Sequence, residues 1–243
     1  MKNNIGKTEI LLLNIGKWKK KKKVQIKIIQ NNKPIIIKPK QYIKVLGVLI
    51  DSNLSWEKQV NAVRKKSLNT TRNLHRINHT LPIKQRVQLY TSLIEPHFCY
   101  ADIIWGGCGK VNSQKLQTVQ NFAARSITGN KKRDSATYSL RKLKFLKLEQ
   151  RRSIHETVFT HKSLIYKNPD NINNLYTNQL SNGDTRQAYS GKLLLPKHKT
   201  SRYQQSPLYR CISSWNQCTI QETGDIAKHK KLLQKQLITS TYR

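Results

Sequence analysis

A change of hydrophobic period at Ser55 constrains this 243-residue chain more than any other feature. Before it, apolar residues alternate or fall in short blocks: Val24, Ile26 and Ile28, then residues 35–37, then residues 42–50. Successive side chains on a strand point to opposite faces, so these blocks read as three strands, with Asn31-Asn32-Lys33-Pro34 as a turn. After it, Trp56, Val60, Val63, Ser67, Thr70, Leu74 and Ile77 recur every three or four residues, the repeat of one helix face. Ser55 stands where an N-cap belongs, and Glu57 falls in the positive first turn. No single sheet can run through that switch. The spacing therefore predicts an α+β chain, mostly helical, with a small β-rich unit at its N-terminal end.

The flanking segments fill in this plan. Residues 10–13, ILLL, predict a short buried strand, and the lysine run of residues 17–23, broken by Trp18, predicts a loop or hairpin tip because like charges repel in a compact state. That run suits phosphate contact, nuclear import or plain solvation. Pro82 opens a second helix in which Ile83, Val87, Tyr90 and Ile94 share a face, and Pro96 is expected to end it. A third helix, over residues 112–128, turns Leu116, Val119, Ala123 and Ile127 inward and stops at Gly129. Between the second and third lies HFCYADIIWGG, residues 97–107, the apolar joint of the bundle. Then come a basic linker, residues 130–134, and a fourth helix carrying Arg151, Ile154, Val158, His161 and Ile165 as far as Pro169. Residues 168–182 read as a flexible connection, residues 193–195 as a strand, and residues 226–238 as a basic amphipathic helix.

Charge narrows the partner. Lys and Arg total 46 against 12 Asp and Glu, a net +34. Each phosphate neutralised by such a surface releases counterions and adds sequence-independent affinity, so RNA or DNA is the expected partner. Acidic side chains are never adjacent in the chain, a poor supply for a two-metal centre that needs several converging carboxylates. Cys99, Cys108, Cys211 and Cys218 form no C-x-x-C pair and are expected to be packing thiols, with no metal bound. Without a long apolar run or a signal-peptide core, the chain is expected to be intracellular, nuclear or cytoplasmic, and neither secreted nor in a membrane.

Individual side chains leave alternatives open. Arg64, Lys65, Lys66, Arg72 and Arg76 lie between the apolar positions of the first long helix. They read either as a solvated face or as contacts to a nucleic-acid backbone. Trp56, Tyr100 and Trp105 could stack on bases, but their apolar neighbours point to core packing. His155 and His161 lack nearby carboxylates in sequence and read as surface or packing residues.

The segments NNIGKTEILLL, VLGVLIDSNLSWEKQV, LYTSLIEPHFCYADIIWG, KLQTVQNFAARSITG and FLKLEQRR, in this order, resemble the C-terminal portion of reverse transcriptases of non-LTR retrotransposons, of the jockey-like and related animal LINE kinds. LLLP, Thr200, Tyr203, Ser206 and Trp215-Asn216 extend the resemblance into the tail. It implies the end of a polymerase palm with a primer-gripping hairpin over residues 1–54 and a thumb-like helical bundle over 55–130. A basic linker and helix over 131–182 and a basic C-terminal extension over 183–243 would follow. By the same resemblance Lys7 lies near the incoming triphosphate, Gly47 in the primer-gripping hairpin, and Arg64, Lys65, Lys66, Arg72 and Arg76 along the primer and template duplex.

The enzymes resembled copy RNA into DNA with two Mg²⁺ ions held by palm aspartates. Those motifs would precede this chain, together with fingers and palm, so it is expected to hold no cofactor and to be inactive alone. A non-catalytic basic RNA- or DNA-binding module, or an inert remnant of a degraded element, are the alternatives. Pro207 and Gln217-Cys218 depart from the pattern, and Cys211, Cys218 and His229 do not match the zinc knuckle of some relatives. Tyr100-Ala101-Asp102 imitates the start of a catalytic aspartate box but comes after segments that the box should precede. Asp102 is therefore not expected to be catalytic, and His97, Tyr100 and Trp105 are expected to pack the helices together.

Overall fold

The computed structural model describes residues 8–13, 26–30, 33–167, 170–177, 192–218 and 225–242, in two compact units, residues 1–62 and 63–243. The class is α+β and mostly helical, with two antiparallel hairpins near the N-terminus. Lys7 and the lysine run of residues 17–23 lie outside the described residues.

In the first unit, β1 (Ile26–Gln30) pairs with β2 (Lys33–Ile37), Ile26 opposite Ile37 and Ile28 opposite Ile35. β3 (Tyr42–Val45) pairs with β4 (Val48–Asp51), Tyr42 opposite Asp51. One strand was expected over residues 42–50. A two-residue turn splits it, because Leu46 and Gly47 both take left-handed backbone, φ 46° and 85°, the geometry that lets a tight hairpin match strand twist. Residues 10–13 do not form the expected buried strand. Leu11 makes a single bridge to Lys40, while Leu12 and Leu13 are exposed.

Helix α1 (Glu57–Arg76) begins two residues later than Ser55. Asp51 holds its start by accepting from the amides of Ser55 at 3.0 Å and Trp56 at 2.9 Å. Partial burial opposes the charge on Asp51, but these amides outweigh it and keep its carboxyl below the usual range. Ser55 Oγ accepts from Glu57 at 3.4 Å.

In the second unit, α2 (Ile83–Leu89) starts after Pro82 as expected, but Pro96 does not end the helix. The backbone widens into a π turn over Tyr90–Ile94, with the Glu95 amide donating to the Tyr90 carbonyl, and continues as α3 (Glu95–Cys99). Widening just before a proline accommodates the hydrogen bond that its missing N–H would have made. A short α4 (Asp102–Trp105) follows a left-handed Ala101 at φ 53°. Helix α5 (Gly109–Thr128) buries Leu116, Val119, Ala123 and Ile127 and ends at a left-handed Gly129, as its pattern predicts.

Two helices break the expected plan. α6 (Ala136–Leu143) rises from Ser135, whose hydroxyl accepts from Tyr138, and α8 (Asp170–Thr177) forms within the expected flexible connection and buries Tyr176. Between them α7 (Leu148–Tyr166) packs against α4, α5 and α8 and against two C-terminal helices. Leu193 forms no extended strand. Its amide and carbonyl are both held by the Asn216 side chain, at 2.9 and 2.7 Å. α9 (Ser201–Gln204) and α10 (Pro207–Gln217) then start at Thr200 and Ser206 hydroxyl caps, and α11 (Ile226–Tyr242) is the expected C-terminal helix, running a few residues longer. Tyr176, Leu193, Cys211, Ile212 and Trp215 form one apolar cluster; Leu146, Ile154 and Leu233 form another.

Candidate functional site

Helix geometry sorts the side chains of α1. At 3.6 residues per turn, Val60, Val63, Ser67, Thr71 and Leu74 fall on one stripe, and all are buried. Thr71 takes the place expected of Thr70, and Ile77, just past the helix, is 47% exposed. Lys65, Arg72 and Arg76 fall opposite the buried stripe, with Arg64 and Lys66 on its two flanks; all five are exposed. The five cations are thus brought together on the open side of one helix. Gly47 belongs to the other unit, in the tip of the β3–β4 hairpin, where Leu46 is 86% exposed.

The 97–107 segment is a joint with a polar centre. Trp105 is fully buried, and its indole N–H donates to the Tyr100 carbonyl at 2.8 Å. Tyr100 itself is 57% exposed, so it does not pack the helices together as expected. The turn at Ala101 throws its ring outward while Asp102 turns in. Ile103 packs against the Tyr176–Trp215 cluster. His97 is half-buried, and burial, helped by Lys66, lowers its imidazole below its ordinary value.

Asp102 is almost wholly buried and accepts from Nδ1 of His155 on α7 at 2.6 Å, so His155 is neither a bare surface residue nor mere packing. Cys99 lies beside them, and one donor atom from each of the three residues falls within 4.8 Å of the others. Burial pushes the Cys99 thiol up to about 12, which keeps it protonated near neutrality and argues against a nucleophilic role.

Next to His155 on α7, Glu156 accepts from Arg210 Nη1 at 2.8 Å and from the Ser214 hydroxyl at 2.7 Å. Burial raises the Glu156 carboxyl despite Arg210. Arg152 lies 5.3 Å over the Trp105 ring and donates to Ser113 at 3.1 Å. The pair Gly106-Gly107 is what admits these arginines. A Cβ on Gly106 would collide with the Asp102 carbonyl and the Arg210 guanidinium, and one on Gly107 with the Gln205 backbone.

No protein-family model matches the chain, and no solved structure matches it significantly. Over 89 residues it is 28% identical to a probable RNA-directed DNA polymerase from transposon X-element of Drosophila melanogaster, covering 35% of this chain and 10% of that protein. Over 97 residues it is 25% identical to a probable RNA-directed DNA polymerase from transposon BS of the same fly, covering 39% and 11%. Both likenesses support a reverse-transcriptase-related origin. The chain spans about a tenth of the length of these curated relatives in the matched segments.

A polymerase of that origin would need carboxylates that converge on Mg²⁺, a cation that takes oxygen ligands in an octahedron. Among the described residues the three-ligand grouping offers one carboxylate beside a thiol and an imidazole, which does not fit Mg²⁺. Three other acidic groups among the described residues are engaged elsewhere: Asp51 at the start of α1, Glu95 with Arg151, and Glu156 with Arg210. The pairing of Asp102 with His155 joins residues 53 apart, and no short-range spacing in the sequence announces it. Among the described residues no helix is long and apolar enough to cross a membrane.

Proposed function

We propose that this chain is a nucleic-acid-holding fragment derived from a non-LTR retrotransposon reverse transcriptase, binding the primer and template backbone without polymerising by itself. The cationic face of α1 carries the reading. Arg64, Lys65, Lys66, Arg72 and Arg76 are all exposed on a helix whose other side is buried. Cations on a rigid helix meet phosphates without reading bases, which suits an enzyme that must follow any sequence. In this reading residues 1–54 end a palm, with Gly47 at a primer-gripping tip and Lys7 toward the triphosphate. Residues 55–130 form a thumb-like bundle, residues 131–182 a basic linker and helix, and residues 183–243 a basic extension. RNA and DNA are the partners, in the nucleus or cytoplasm, joined by the palm and fingers of the parent enzyme where these are present.

Two assays on the purified chain test this. In the first, an RNA–DNA hybrid and unrelated duplexes of equal length should bind with similar affinity; strong preference for one sequence contradicts backbone holding. In the second, primer extension with template, Mg²⁺ and deoxynucleotides should give no incorporation above a heat-killed control. Incorporation above that control overturns the claim of inactivity.

A further inference from the structure

Cys99 closes α3 and Asp102 opens α4, and the left-handed Ala101 between them doubles the chain back so that both side chains meet His155 on α7. The thiol sulfur, a carboxylate oxygen and an imidazole nitrogen lie within 4.8 Å of one another. A common centre is then within about 2.8 Å of all three, against zinc bond lengths of about 2.0–2.3 Å. Closing the remaining gap takes side-chain shifts of at most about 0.8 Å. Cys99-x-x-Asp102 has the two-residue spacing by which a tight turn offers paired ligands to zinc. Asp102 is 3% exposed, whereas Cys99 and His155 are half-buried, which leaves the solvent side for a water as fourth ligand.

We propose that Cys99, Asp102 and His155 bind a Zn²⁺ ion that fastens the α3–α4 turn to α7. Thiolate and imidazole ligands select zinc over Mg²⁺ or Ca²⁺. On binding, bonds form from the metal to the Cys99 sulfur, an Asp102 oxygen and a His155 nitrogen; the thiol proton passes to solvent, and if Nδ1 is the ligating nitrogen its proton moves to Nε2 and its hydrogen bond to Asp102 breaks. No redox change is involved. The competing account is a plain Asp102–His155 bridge, which makes no use of Cys99. This site does not depend on nucleic-acid binding, so its test and the binding assays fail separately.

The full chain, stripped with a chelator, is titrated with Co²⁺ as a spectroscopic probe and then with Zn²⁺ in competition. One equivalent of Co²⁺ should give a thiolate-to-cobalt absorption band that Zn²⁺ abolishes, and Zn²⁺ should raise the melting midpoint. Cys99→Ser should lose the band and weaken Zn²⁺ binding by more than the roughly 10–100-fold typical of losing an outer-shell partner. Cys218→Ser should behave as the parent. No thiolate band on the parent chain overturns the site, whether or not a variant folds. A band that survives in Cys99→Ser, or a midpoint unmoved by Zn²⁺, overturns it as well.

Discussion

His161 on α7 and His229 on α11 stand with ring centres 4.4 Å apart, beside Trp215. Both are buried, and neither nitrogen of His229 finds a partner among the described residues. Burial lowers both imidazoles below their ordinary value, and for His229 the neighbouring His161 adds to it. Below about pH 6.5 the unfolded chain therefore takes up protons that the folded chain refuses. The contribution of these two imidazoles to stability should be flat above pH 7 and fall as the pH drops from about 6.5 toward the lowered folded values. His229→Phe, which keeps a ring but removes the charge, should flatten that fall in melts run from pH 7.5 to 5. An unchanged fall in the variant would place the acid sensitivity elsewhere. None of this was legible in the sequence, because His161 and His229 are joined by packing between α7 and α11 rather than by spacing. The role of His155 was hidden for the same reason, whereas Trp105 could be read as core from its apolar neighbours.

At the scale of elements, a clean period was readable and a mixed one was not. α5 buries its four predicted residues because they recur every three or four positions along one face, although Gln120 and Ser126 are buried beside them. α7 buries Arg152, Glu156, Thr157, Thr160, His161 and Ser163 along with Leu148 and Ile154, since several elements surround it. A helix packed on several sides shows no single apolar stripe, so its partners could not be foreseen. α8 was hidden by its polar, asparagine-rich composition and is held by one deep residue, Tyr176. α11 was legible as a helix, but its docking was not. Leu233 is 5% exposed and packs with Leu146 and Ile154, so Leu233→Ala should cost about 2 kcal/mol or more. Amide exchange should rise along α11 first. Exchange that rises equally across α5 would mean that α11 does not dock as a separate element.

For the molecule as a whole, the charge was evident from composition, but its organisation depends on where the few acids go. Asp51, Glu95, Asp102 and Glu156 serve a helix start, an ion pair, the Asp102–His155 joint and a second ion pair. With only 12 acids against 46 Lys and Arg the chain keeps a net +34, and on α1 the cations remain outward. The most direct test of backbone holding is the salt dependence of duplex binding, compared between the parent chain and a variant with Arg64, Lys65, Lys66, Arg72 and Arg76 all replaced by Gln. The logarithm of affinity should fall linearly with the logarithm of salt. For the variant on DNA, the slope should shrink by about 0.9 for each phosphate that α1 no longer neutralises, up to about 4.5 if all five cations touch phosphate. A variant that binds with the parent's slope and affinity would contradict the account.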